Sequence, residues 1–383
     1  MEALTFPTWP QLEPDDIEAV VETLKSSQLS QLSSSSVEDF EKAFADLHDR
    51  KHCIAVNSGT SAIHAALVAM DIKAGDEVIV PSHTFIGSAS PILYQHASPV
   101  FADVDDKTYC VSTECLKDVI TERTKAIIAV HLNGQPAPID EIVEYANRRG
   151  IAVIEDVAQA LGARLRGTRV GAFGHVACFS FWEDKIITTG GEGGAILTDD
   201  EEIALRIRRL RHHGEKLSQD TRLYSSVELG YNYRLTAMQA ALGLSQLTRL
   251  ESYIKARRSN ALRLTEGLRD LTGLQTPCEV DGCIHAFWKY VCRLHGHSSQ
   301  GEVESVVQEL RMAGIPAYRR YPIPLHRQPV FAASGHKQQK CVVADQLSGE
   351  LFSLPVHPAL STSHIEFMIE KVRAVVEAHT ART

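Results

Sequence analysis

No two of the eight cysteines stand in a Cys-x-x-Cys arrangement. A chain of 383 residues buries a core without disulfide staples, so they read as small buried apolar residues. Cys278, Cys283, His285 and Cys292 lie close together, but their spacing matches no zinc finger or ribbon, and no metal is expected. Also missing is any apolar run long enough to span a bilayer. The opening MEALTFPTWPQLEPDD lacks the basic start and apolar stretch of a signal peptide. A cytoplasmic protein with no membrane partner is therefore expected. Excess positive charge is absent too: 48 acids against 39 lysines and arginines give −9, which offers nucleic acid no general attraction. The one basic run, Arg206 to His213, follows Asp199 to Glu202, and this order predicts a solvated helix aligned with its dipole. No Gly-x-x-x-x-Gly-Lys-Ser/Thr run occurs, and the glycine-rich GTRVGAFG and GGEGG do not follow strands at dinucleotide-binding spacing.

What is present is an ordinary globular balance of 44% hydrophobic and 23% charged residues. Seven short β-rich runs begin at Cys53, Glu77, Pro99, Ala126, Ile151, Val176 and Ala195. Helical patterns separate several of them, at Thr60–Met70, Cys115–Ile120 and Pro138–Arg148. IIAV and IAVI are continuously apolar, as strands of a parallel sheet buried on both faces are. The pattern predicts an α/β fold with a mostly parallel seven-stranded sheet between helices. One long helix is expected from Thr236 to about Arg269. After it come a strand-like run at 288–294, a helix at 301–314 and a final amphipathic helix at 363–379, which predict a smaller α+β domain. The boundary is placed between 1–250 and 251–383. The serine-rich stretch 26–36 reads as a flexible loop ahead of a helix at Val37–His48.

Three segments carry chemistry. Asn57-Ser58-Gly59-Thr60-Ser61 lies between a strand and a helix, where N–H groups and hydroxyls suit a phosphate or simply cap the helix. Asp156 ends the apolar run IAVIED, at the edge where α/β sheets bind ligands. Ser180 precedes Lys185 by five residues, and a glycine-rich turn follows. A lysine in a closed site loses its proton readily and becomes a nucleophile toward carbonyls. Phosphate cup, carboxylate, serine and lysine together are the parts that pyridoxal 5'-phosphate needs.

Over nearly its whole length the chain resembles the sugar aminotransferases of the DegT/StrS type, a pyridoxal-phosphate family of fold type I. The resemblance is carried by NSGTSAIHAAL, GDEVIVPSHTFIGSA, DVAQALGA, FSFWEDKIITTGGEGG, HHGEK, LGYNYRLTAMQAALGLSQL, GIPAYRRYPIPLH and SLPVHPAL. It implies that Lys185 is the Schiff-base lysine and proton shuttle, and that Asp156 pairs with the ring nitrogen. Gln159 would bond the cofactor's 3-hydroxyl side and Phe85 would stack on the ring. Gly59, Thr60 and Ser180 would hold the phosphate, joined by Asn232 from the neighbouring subunit of a homodimer with shared sites. His326 would lie near the substrate entrance. Arg319 and Arg320, beside the rigid YPIP loop, are candidate ligands for a substrate diphosphate.

The implied reaction is ping-pong, from glutamate or glutamine to a keto-sugar, with a nucleotide-linked sugar favoured over a free keto-cyclitol. The loop at 26–36 lacks the glycine frequent in the family, and Trp182-Glu183-Asp184 is not its commonest filling. FPTWPQ is similar to the start of relatives acting on amino-cyclitol or aminobenzoate precursors. Dehydratases of this fold replace the lysine with histidine, and here Lys185 stands in place. A non-catalytic cofactor-binding regulator is the alternative of another class.

Overall fold

A computed structural model describes residues 4–216, 224–295, 300–333 and 340–380. A proline at the first helical position, followed by two acids, starts α1 (Pro14–Ser26), a helix not among those expected from the sequence. Its Asp16 is fully buried, accepting from Gln246 Nε2 at 2.7 Å and pairing with Arg249. The serine-rich stretch after α1 is a turn fastened to the body, where Ala237 N–H donates to Leu29 O and Ser30 bridges Thr236.

The helix α2 (Ser36–His48) leads into β1 (His52–Val56), whose side chains alternate between two cores. Ile54 and Val56 enter one apolar cluster, Cys53 and Ala55 the other. Then follow α3 (Gly59–Ala69), β2 (Glu77–Pro81), β3 (Ser98–Ala102), β4 (Thr124–Val130), α4 (Ile139–Asn147), β5 (Ala152–Asp156), β6 (Val176–Ser180), β7 (Gly194–Thr198) and α5 (Glu201–Arg211). The helix expected at 115–120 is a single short one at Thr113–Lys117, ending where Val119 and Ile120 both donate back to Leu116 O.

Among the described residues the seven strands form one sheet in the order β1-β7-β6-β5-β4-β2-β3. The pairs β2/β3, β2/β4, β4/β5 and β5/β6 are parallel, and β7 runs antiparallel between β1 and β6. The mostly parallel sheet buried on both faces is as expected.

Glu155 and Asp156 are neighbours on β5 and face opposite sides. Glu155 is fully buried and accepts from the N–H groups of Gly171, Phe173 and Gly174, while His131 Nε2 lies 3.1 Å away. Burial alone would raise its pKa, but His131 and these N–H groups together lower it.

The basic end of α5 corrects the solvated-helix expectation. Asp200 caps its start as the charge order predicts. Arg208 and Arg211, however, both reach the buried carboxylate of Glu41, and Arg206 and Arg209 share Glu228. For Glu41, burial works upward on the pKa, and Arg211 and Arg208 overcome it and hold the carboxyl low.

The single helix expected from Thr236 to Arg269 is two, α6 (Ala237–Leu247) and α7 (Leu250–Leu268). At the break Thr248 Oγ1 donates back to Ser245 O, Arg249 takes φ −102° and ψ 0°, and its guanidinium is drawn to Asp16. The early turns of α7 give Leu250, Tyr253 and Ile254 to a sheet cluster. Its later turns give Ala261, Leu264 and Leu268 to a third cluster, filled otherwise from 271–376. That cluster packs on an antiparallel sheet of β8 (Leu274–Gln275), β9 (Tyr290–Leu294), β10 (Tyr318–Arg319) and β11 (Leu351–Leu354), in the order β8-β9-β11-β10. Helices α8 (Gln300–Met312) and α9 (Thr362–Thr380) cover it. No described helix is long and apolar enough to cross a membrane, and no described group of His, Cys, Asp or Glu could hold a metal.

Candidate active site

The site is built where β1, β5 and β6 end. After β1, Ser58 caps α3, its Oγ accepting from Ser61 N–H at 3.1 Å, so the first N–H groups of the helix face outward. A Cβ on Gly59 would lie 2.7 Å from Ser180 Cβ, and one on Gly194 would lie 2.5 Å from Ser58 O. Only glycine lets β6 and β7 approach the helix start so closely, and Ser180 thereby meets Gly59 in one small cup. Thr60 Oγ1 and the Phe85 ring both border Gly87, so these two residues stand side by side. Phe85 is 56% exposed, so it is not closed over by the fold.

Asp156 lies buried at the end of β5, with Ser88 Oγ donating to Oδ2 at 2.7 Å and Ala158 N–H to Oδ1 at 3.0 Å. The Gln159 carboxamide is fixed at both ends: Oε1 accepts from Asn133 N–H at 2.9 Å, and Nε2 donates to the Tyr321 hydroxyl at 3.0 Å.

Lys185 is held by aromatic rings. Its Nζ lies 4.0 Å from the centroid of the Trp288 indole, and its carbonyl accepts from Trp9 Nε1 at 2.8 Å. Trp288 Nε1 donates to Asp184 O, and Asp184 pairs with Lys289 at 2.6 Å. Burial pulls the Lys185 pKa down to about 7; Asp156 and Asp184 act upward, Arg320 and Lys289 downward. The amine is therefore substantially unprotonated near neutrality, within the field of the Asp156 carboxylate.

Other expected residues lie elsewhere or are differently engaged. Asn232 is exposed, its carbonyl accepting from Asn57 Nδ2 at 3.4 Å beside the cup. His326 is buried; its Nδ1 shares a 2.6 Å hydrogen bond with Ser82 Oγ, and Nε2 lies 3.2 Å from Asp345. It ties the loop after β2 to the segment that carries Asp345. Arg319 and Arg320 diverge, as successive residues leaving a strand do. Arg319 donates to Ser348 O at 2.8 Å and lies 3.7 Å from Glu304, so it corrects the expectation of two arginines at one diphosphate. Arg320 turns to the site, its Cζ 4.9 Å from the Trp288 centroid. Trp9, Ser88, Trp288 and Tyr321 were missed as site residues; their only sequence signal is aromatic or hydroxyl type, and only folding brings them to Lys185, Asp156 and Gln159.

The donor set fits pyridoxal phosphate: a cup that a Cβ would fill, a buried carboxylate and an amine held close to neutrality. Sheet, cup, carboxylate and lysine define the chain as a fold-type-I transferase. It belongs to the DegT/DnrJ/EryC1/StrS aminotransferase family, whose model matches residues 10–373. The chain is 39% identical to a GDP-perosamine synthase of Caulobacter vibrioides, across 96% of this chain and 97% of that one. It is 37% identical to a pleiotropic regulatory protein of Geobacillus stearothermophilus, across 94% of each. A putative sugar aminotransferase of Streptococcus pneumoniae, solved in its PLP-form, superposes with a TM-score of 0.91 at 27% identity, across 98% of this chain and all of that one.

Proposed function

We propose that this aminotransferase binds pyridoxal 5'-phosphate and moves an amino group from glutamate or glutamine to a nucleotide-linked keto-sugar, as a homodimer with shared sites. The observation that carries the reading is the Lys185 amine, held near a pKa of 7 beside Trp288 and within the field of Asp156. Membership of the family and the name of the perosamine synthase support the sugar substrate. The exposed Asn232, close to the exposed Val227 and Leu229, supports a shared site.

When bound, the cofactor supplies an aldehyde and an electron-withdrawing ring that stabilises negative charge at the carbon losing a proton. The N–H groups at the start of α3, with Thr60 and Ser180, would hold its phosphate. Asp156 would place a negative charge at the ring nitrogen and favour its protonated form. Gln159, fixed by Asn133 and Tyr321, would present its remaining N–H to the 3-hydroxyl side. Neutral Lys185 would hold the cofactor at its aldehyde carbon, and once freed its Nζ would carry the proton from the donor's Cα to that carbon. In the second half Nζ would carry a proton from that same carbon to the one that was the ketone.

The regulatory name of one relative favours a second reading, a cofactor-binding regulator. Purified protein should be yellow, borohydride should fix the cofactor to the peptide bearing Lys185, and glutamate should bleach the colour. Labelling of another lysine refutes the assignment. Cofactor binding without amino transfer to any nucleotide-linked keto-sugar, keto-cyclitol or aminobenzoate precursor leaves the regulator.

A further inference from the structure

Three cations gather around the Trp288 indole: Lys185 Nζ at 4.0 Å from its centroid, Arg320 Cζ at 4.9 Å and Lys289 Nζ at 5.3 Å. Their compensation differs. Lys289 has its carboxylate in Asp184 at 2.6 Å. Lys185 is held close to neutrality, and the cofactor would take its amine. Arg257, fully buried nearby, donates Nη1 to the carbonyls of Phe287 and Trp288 while its Nε and Nη2 have no hydrogen-bond partner, and its burial leaves it no surface to offer a ligand. Arg320 is half-buried, lies against Trp288, and has no carboxylate partner among the described residues. Its Nε is shielded from solvent and has no hydrogen-bond partner. A guanidinium so placed costs free energy until an anion completes it.

Geometry selects the anion. Arg320 and Lys185 both lie against the Trp288 indole and Arg320 lowers the Lys185 pKa, so an anion bound by Arg320 lies within the field of the reacting nitrogen. In an α-amino acid the carboxylate and the amine share one carbon, which keeps the charge beside the nitrogen being transferred. In a nucleotide-linked sugar the diphosphate is several bonds from a ring ketone and lies farther out. We propose that Arg320 is the clamp for the α-carboxylate of the amino donor, and selects α-amino acids over simple amines. The planar fork of the guanidinium suits a carboxylate bound by two parallel N–H bonds. Because Arg320 also holds down the basicity of Lys185, an arriving carboxylate offsets that effect and readies Nζ to accept the donor's proton. The assignment rests on Lys185 as the reacting amine.

The ping-pong order lets the two halves be measured separately on the holoenzyme. In Arg320→Gln, the glutamate concentration that half-bleaches the cofactor should rise about tenfold or more, the range of a lost charge-assisted hydrogen bond. The half-reaction of the amino-loaded enzyme with the keto-sugar should change much less. Arg320→Lys should restore part of the donor affinity, keeping the charge but not the fork. Calorimetry with succinate, an unreactive dicarboxylate, should show binding to the native holoenzyme that the Gln variant loses. An unchanged glutamate requirement with a slowed acceptor half would overturn the clamp and assign Arg320 to the acceptor. Equal losses in both halves with succinate binding intact would overturn it as well. If the native holoenzyme is bleached by no amino donor, the proposed function fails instead, and succinate binding still judges the clamp.

Discussion

The Trp288 indole lies 4.0 Å from Lys185 Nζ, and its N–H donates to the carbonyl of Asp184, the residue before that lysine. One side chain of β9's approach thus sets both where the amine lies and how dry its surroundings are. The first consequence is a pH dependence. In the cofactor-free protein, labelling of Lys185 by an uncharged acylating reagent should rise through pH about 7 and level off above it. An ordinary lysine would rise only near 10.5. Asp156→Asn removes a charge that favours the protonated amine, so the midpoint should fall; Arg320→Gln removes an opposing one, so it should rise. Peptide mass spectrometry across a pH series reads all three, and a midpoint near that of ordinary lysines would refute the dry-site account.

Gly59→Ala should damage cofactor retention through sterics alone, since its Cβ would lie 2.7 Å from Ser180 Cβ. Overpacking of this kind costs about 1–3 kcal/mol. Equilibrium dialysis should show roughly tenfold or greater weakening of cofactor binding, with Lys185 labelling in the apo-protein little changed. Normal retention would mean that the cup is not where the phosphate sits.

Asn232→Ala and Lys185→Ala should each be inactive alone and complement one another when mixed. If each site takes Asn232 from one subunit and Lys185 from the other, a heterodimer holds one whole site of the two. Partial recovery after demonstrated subunit exchange is the expected result. A complete absence of recovery would place both residues in a single-chain site.

Much of this was legible because the signals were local. The apolar runs around Ile127 and Ile154 carry their strand character wherever they fold, and Ser58 announces a helix start by its own side chain. The break at Arg249 was not legible, because it depends on Asp16, more than two hundred residues earlier. Nor was the pairing of Arg208 and Arg211 with Glu41, which turns a seemingly solvated basic run into a buried brace. Lys185 and Asp156 could be named from motif, but Trp9, Trp288 and Tyr321 become site residues only after distant segments meet.

That brace gives a stability prediction. Glu41→Ala strands the nearly fully buried Arg211 and the partly buried Arg208 without their shared carboxylate. Breaking a buried ion pair from one side costs about 3–5 kcal/mol, so thermal unfolding should move down by several degrees. The double change Glu41→Met, Arg211→Met should recover part of the loss, as removing both charges does. An unchanged Tm for the single variant would contradict the buried network.

Glu155 and Asp156 are chemically near-identical acids one position apart, yet one is locked by three backbone N–H groups and the other is offered to the site. What separates them is strand parity. A slip of β5 by a single residue against β4 and β6 would exchange the two, turning the acid of the candidate site to the far face and bringing the staple in its place. Sheet alignment is therefore part of the active-site specification, and an insertion or deletion ahead of β5 threatens function through frame even where every site residue is retained.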